Sequence, residues 1–159
     1  MSNRARAADE YGLISYTAKV IPRPRRRYVG LRGNRVQSSR ATGGPVEPFS
    51  VHANDAGEYA VVLVSGELDI ATAPLLRECL AELTVRGHTR LVLDLDGLEF
   101  TDAMGISVLV GAYVNMERRG GWLRLVHVHP RVRKVLSLVQ LTETLPDFAS
   151  VHEALDHRG

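Results

Sequence analysis

Four carboxylates in one short segment are the first residues of this chain whose types and spacing could do chemistry. The segment runs LVLDLDGLEFTDAMGISVLVGAYVNMERRGG, and the carboxylates are Asp94, Asp96, Glu99 and Asp102. Such groups can help to bind a metal ion, or they can accept hydrogen bonds from the free backbone N–H groups at the start of a helix. A helical pattern of apolar residues follows Asp102 directly, which favours a capping role for that residue.

The remaining polar residues give little support to an enzyme or a metal site. Asp94 and Asp96 flank the end of a predicted strand, but no third ligand accompanies them, so we expect solvated loop acids. His127 and His129 would share one face of a strand end, and two ligands are too few. The sequence lacks GxxxxGK[ST] and GxSxG, and Cys79 falls on the inner face of a predicted helix. We therefore predict no enzymatic activity, no metal ion and no cofactor.

The residues after Asp102 are candidates for a binding surface. Ala103, Met104 and Gly105 stand at the start of the predicted helix, and a loop end on a rigid scaffold is a common place for binding. A thioether adapts to irregular surfaces, so Met104 could be an exposed contact, but the helical period equally allows it to pack in the core. Gly105 permits close approach of another backbone, or close packing of the helix on the sheet.

Strands and amphipathic helices alternate around this segment. Strands are predicted at Phe49–Ala53, Tyr59–Ser65, Leu91–Leu95, Trp122–Val126 and, as a short piece, Asp147–Phe148. Helices are predicted after Thr72, which would cap the first, and from Asp102, Pro130 and Ser150. Asp96–Asp102 is predicted to be a loop. Strands that alternate with helices imply an α/β fold, with helices packed against a mixed β-sheet in the order β-β-α-β-α-β-α-(β)-α.

The inner faces of these helices follow from the spacing of their apolar residues. The second helix would bury Ile106, Leu109, Val110 and Tyr113, and the third would turn Val132, Val135, Leu136 and Val139 inward. Gly87 and Gly120 are predicted to lie just beyond the ends of the first two helices.

Charge divides the chain of 159 residues into two parts. Residues 1–48 carry a net charge of +7 and contain PRPRRR and four prolines, whereas residues 49–159 carry −5. We predict that residues 1–48 form a basic tail, which cannot bury enough apolar surface to fold, and that residues 49–159 form one domain. A single cysteine and the lack of a long apolar run favour the cytoplasm and argue against a membrane span. The tail could contact an acidic partner or be merely solvated.

The domain resembles the STAS domain of bacterial anti-sigma factor antagonists. The matching pieces are Gly66-Glu-Leu-Asp-Ile-Ala-Thr-Ala-Pro74, Leu91–Leu95, Phe100–Gly105, Arg118–Val126 and Pro130–Leu136. The resemblance implies a non-enzymatic regulator that binds an anti-sigma factor of the GHKL kinase type and so releases a sigma factor. It implies a contact centred on Thr101, Asp102, Ala103, Met104 and Gly105. Glu67 and Asp69, at the end of the second predicted strand, are expected to border the same face. A homodimer is compatible with it.

The chain departs from the family pattern at the regulatory position. In the family, the kinase phosphorylates a serine directly after the aspartate that matches Asp102, and here that position is Ala103. An alanine has no hydroxyl, so phosphorylation there is chemically impossible. The protein could then bind its partner constitutively, be modified instead at Thr101 or Ser107, or act as a scaffold or sensor module.

Two further functions stay open at this stage. Nucleic-acid binding would depend on the arginine-rich tail alone, because the negative charge of the domain is unlike that of a nucleic-acid binder. A role as accessory to a membrane transporter would need a separate transporter partner.

Overall fold

The computed structural model of this chain describes residues 19–20 and 48–158. Within them the strands are β1 (Lys19–Val20), β2 (Ser50–Asp55), β3 (Ala60–Leu68), β4 (Arg90–Asp94), β5 (Leu98–Thr101), β6 (Trp122–Val126) and β7 (Asp147–Phe148). The helices are α1 (Ala73–Val85), α2 (Ala103–Arg118), α3 (Pro130–Leu138) and α4 (Val151–Asp156). Apart from β1, the predicted basic tail, residues 1–48, lies almost wholly outside the described residues.

The strands form one mixed sheet, as the sequence predicted. Its order is β1-β2-β3-β4-β6-β7, with β5 paired to β3 beside this path. The first two pairs, β1 with β2 and β2 with β3, are antiparallel, while β3, β4, β6 and β7 run parallel to one another. Gly57 makes the turn of the β2–β3 hairpin at a φ of 85°, which a residue with a side chain rarely adopts.

Helices cover both faces of the sheet because alternate strand residues point to opposite sides. On one face Val62, Leu91 and Leu125 join the large core formed with α1, α2 and α3. On the other face Val61, Val92 and Val126 pack against Val151 and Ala154 of α4. Burial on both faces explains why the central strands are almost continuous apolar runs.

Two sequence predictions about these elements were wrong. Leu98–Thr101, predicted to lie in a loop, is strand β5, which pairs in parallel with Gly66–Leu68 at the end of β3. Its pattern is too short and too polar to signal a strand alone, because the pairing depends on a distant segment. Val139, predicted to point inward, is half exposed because α3 has already ended at Leu138.

Candidate partner-binding surface

Asp102 caps helix α2, as its position in the sequence predicted. Its backbone is extended, and its Oδ1 accepts hydrogen bonds from the N–H groups of Met104 at 2.9 Å and Gly105 at 3.1 Å. These are two of the donors that the first turn of a helix leaves without a partner inside the helix. The cap therefore fixes the start of α2, and with it the residues that the start displays.

The same carboxylate ties the start of α2 to the segment that follows β3. Asp102 Oδ2 accepts from the N–H of Ile70 at 3.1 Å, and the Asp102 N–H donates to the carbonyl of Leu68 at 3.1 Å. Sequence reasoning did not include Ile70 among the site residues. Its apolar side chain in the loop before α1 was the available signal, but the pattern gave no indication of which segment it would meet.

Apolar side chains are exposed around this carboxylate. The exposed fraction is 65% for Ile70, 47% for Phe100 and 40% for Met104, and Ala103 is exposed as well. Ile70 and Met104 donate their N–H groups to the two oxygens of Asp102, while Phe100 lies two residues before it on β5. We call Ile70, Phe100, Ala103 and Met104 the apolar turn surface. Exposed apolar patches of this kind mark interaction sites in many soluble proteins.

Thr101 and Gly105 lie beneath the apolar turn surface. Thr101 is only 3% exposed, and its hydroxyl donates to the carbonyl of Asp102 at 3.3 Å. A Cβ at Gly105 would come within 2.2 Å of Thr101 Oγ1 and 2.7 Å of Leu68 Cγ. These contacts show why glycine stands at this position: the helix packs too closely on β3 and β5 for any side chain.

Glu67 and Asp69 lie at the end of β3, beside the same turn. Asp69 is buried, and its Oδ1 accepts from the N–H groups of Ala71 at 2.9 Å and Thr72 at 3.1 Å, which organises the approach to α1. Glu67 is half-buried and pairs in register with Phe100. Thr72 stands at the N-cap position of α1, as predicted, but its hydroxyl accepts no hydrogen bond from the first turn of the helix. Its hydroxyl instead donates back to the carbonyl of Glu67 at 2.8 Å.

The three positions considered for phosphorylation differ in chemistry and access. Ala103 is exposed but has no hydroxyl, and Thr101 has a hydroxyl but is buried. Ser107 is exposed one turn further along α2, where its Oγ donates to the carbonyl of Ala103 at 3.0 Å. Among these three, Ser107 is therefore the one hydroxyl that a kinase could reach without unfolding the turn.

Outside this surface, local contacts are made by Asp94, His127 and His129. Asp94 Oδ1 accepts from the N–H of Asp96 at 3.0 Å and lies 3.1 Å from His127 Nδ1. His129 Nδ1 accepts from the N–H of Arg131 at the start of α3. No group of three or more potential metal ligands occurs among residues 19–20 and 48–158. In that same part of the chain, no helix has the length and apolar character needed to cross a bilayer.

The fold and this surface together define a small α/β domain that displays a capped helix start beside the end of a central strand. The chain belongs to the STAS domain family, whose sequence pattern matches residues 51–154.

Several similar proteins are named as anti-sigma factor antagonists. The chain is 31% identical to an anti-sigma F factor antagonist of Paenibacillus polymyxa over 96 aligned residues, which make up 60% of this chain and 82% of the relative. It is 29% identical over 111 residues to the anti-sigma-F factor antagonist RsfB of Mycobacterium tuberculosis, which covers 69% and 88%. A crystal structure of an anti-sigma factor antagonist from Mycobacterium paratuberculosis superposes with a TM-score of 0.62 at 28% identity, covering 71% of this chain and 95% of that one. The fold class and family predicted from the sequence are thus confirmed.

Proposed function

We propose that this chain binds an anti-sigma factor of the GHKL kinase type and thereby releases a sigma factor. Membership of the STAS family and the names of the relatives support the general role. The observation that carries the proposal is the exposure of Ala103 and Met104 at the start of α2, where Asp102 holds them. In this proposal residues 49–159 form the binding domain, and the protein acts in the cytoplasm without catalytic activity of its own.

Contact with the partner is made by the apolar turn surface. Its exposed side chains are available for burial, and a methionine adapts to the shape of the opposing surface. Thr101, Asp102 and Gly105 contribute by fixing the backbone from below, and Glu67 and Asp69 support the neighbouring turn. Ile70 and Phe100 are added to the contact because they are exposed beside the residues that the family pattern indicates.

Constitutive binding follows from the chemistry of Ala103. A phosphoserine at this position would add nearly two negative charges beside the Asp102 carboxylate, which an apolar partner surface would reject. Alanine keeps the position uncharged whatever the kinase activity of the partner, which itself binds the ATP. Thr101 is a poor substitute as a phosphorylation site because it is buried. Ser107 lies one helical turn beyond Ala103, away from the residues of the proposed contact.

Titration calorimetry with an anti-sigma factor recovered from the source cells tests the proposal. Met104→Asp should weaken binding at least about tenfold, because the complex would bury an unpaired carboxylate. Val85→Asp is the matched control: Val85 is 87% exposed at the far end of α1, so this change should leave the affinity unaltered. Circular dichroism of both variants checks that the fold is retained.

Two results would contradict the proposal. One is equal affinity of Met104→Asp and the unaltered protein, with both folded. The other is the absence of any GHKL-type protein among the partners recovered from cells, which would favour a scaffold, sensor or transporter-accessory module instead.

A further inference from the structure

A groove runs between helices α1 and α2, away from the apolar turn surface. It has a volume of about 230 Å³ and an apolar floor formed by Leu80, Leu91, Val108 and Met116. We call it the helix groove. Pockets for drug-sized ligands typically measure roughly 300–1,000 Å³, so the helix groove suits a smaller molecule.

Gly111 keeps the helix groove open in a way that the fold itself does not require. It lies in the middle of α2 and lines the groove, and its φ is not in the left-handed region. A Cβ built on Gly111 finds no atom outside its own helix within 4 Å. Glycine weakens a helix interior relative to alanine, and here neither backbone conformation nor close packing compensates for that loss. Gly111 is itself exposed, so this space opens to solvent and leaves the groove accessible to a ligand.

Polar groups at the two ends of the helix groove indicate the chemistry of a ligand that would fit it. Arg77 lies exposed at one end, and within residues 48–158 its guanidinium has no acidic partner within ion-pair distance. Thr84 lies two helical turns further along α1, where Asn115 Nδ2 donates to its Oγ1 at 3.5 Å and joins the two helices. A ligand that matches this arrangement has an anionic head for Arg77 and an aliphatic chain for the apolar floor.

We propose that the helix groove binds a small amphipathic carboxylate, its carboxylate at Arg77 and its chain lying past Gly111 toward the Thr84–Asn115 end. Octanoate is the probe for this proposal, with octanol as the neutral analogue of the same chain length. Amide chemical shifts of the isotope-labelled full chain report where each probe binds. We expect saturable shifts at Gly111 and Asn115 with octanoate, and weaker binding of octanol.

Two variants and a control distinguish the contribution of the aliphatic chain of the ligand to binding from that of its carboxylate. Gly111→Leu places a side chain in the empty space and should weaken octanoate binding at least tenfold while the protein stays folded. Arg77→Gln should weaken octanoate binding about fivefold and leave octanol binding unchanged, because only the charged head contacts Arg77. Arg131→Gln removes an exposed arginine of α3 outside the groove and should change neither.

Three results would overturn the proposal. The first is the absence of saturable octanoate binding, and the second is binding that Gly111→Leu leaves intact. The third is a concentration-dependent dimer, detected by analytical ultracentrifugation, that Gly111→Leu abolishes, since it would show that a second copy of this chain occupies the groove. Each of these results is independent of binding to an anti-sigma factor, so the proposed function would stand or fall separately.

Discussion

The carboxylate of Asp102 accepts a hydrogen bond at 3.1 Å from the backbone N–H of Ile70, a residue 32 positions earlier in the chain. The other oxygen of the same carboxylate caps α2 through Met104 and Gly105. One side chain therefore joins the loop before α1 to the start of α2 and fixes the backbone of Ile70 and Met104, whose side chains are exposed. The proposed docking function depends on this link, because flexible neighbours would have to be ordered when the partner binds.

Substitution of Asp102 should separate capping from the link to Ile70. Asp102→Ala removes both and should lower the free energy of unfolding by about 2 kcal/mol. Asp102→Asn keeps one oxygen for the cap but turns an amide toward the Ile70 N–H, so its cost should be about 1 kcal/mol. Chemical denaturation measures both values. Hydrogen exchange of the Ile70 amide should accelerate in both variants, and unchanged protection of that amide would contradict the link.

The contrast between Asp102 and Ile70 shows which contacts of this site could be predicted from the sequence. An aspartate followed by a helical pattern predicts a cap because the interaction is local. The contact with Ile70, and the pairing of Leu98–Thr101 with the end of β3, join segments that are distant in the chain. Periodicity carries no information on which distant segments meet, so the structure was needed to find both.

The exposure of Met104 was undecided for a related reason. The helical period allowed Met104 to lie in the core or on the surface. The close packing of Gly105 on Thr101 and Leu68 helps to fix the position of the start of α2 on the sheet, and this contact depends on distant segments of the chain. Val139 shows the converse error, because its spacing extends the apolar stripe of α3 past the point where the helix ends.

Acid should destabilise the protein partly through Asp55. The N–H of Gly57, at 2.8 Å from Oδ1, and the nearby His88 ring hold the pKa of this carboxyl below its usual value of 3.8. Since the folded-state pKa is lower than the unfolded one, the stabilisation is fully present above about pH 4 and is lost as the pH falls through the folded value. Denaturation at several pH values should show a smaller acid-induced loss of stability for Asp55→Asn. Equal losses in the two proteins would contradict this role.

Gly111→Ala should stabilise the protein. The added methyl group meets no neighbouring element, and alanine is favoured over glycine in a helix interior by about 1 kcal/mol. Thermal and chemical denaturation measure the gain. Gly105→Ala in the same helix is the matched control, and it should destabilise by about 1–3 kcal/mol because its Cβ would collide with Thr101 and Leu68. Destabilisation by Gly111→Ala would show that Gly111 serves the fold after all.

The effect of ATP on the binding affinity for a GHKL-type anti-sigma factor tests the central claim most directly. The titration is made with the unaltered protein and with Ala103→Ser, each before and after incubation with the kinase and ATP. We expect the unaltered protein to keep its affinity and its mass. Ala103→Ser should gain one phosphate and lose at least about tenfold in affinity, since the phosphate would stand beside Asp102. Loss of affinity by the unaltered protein, with a phosphate mapped to Ser107 or Thr101, would contradict constitutive binding.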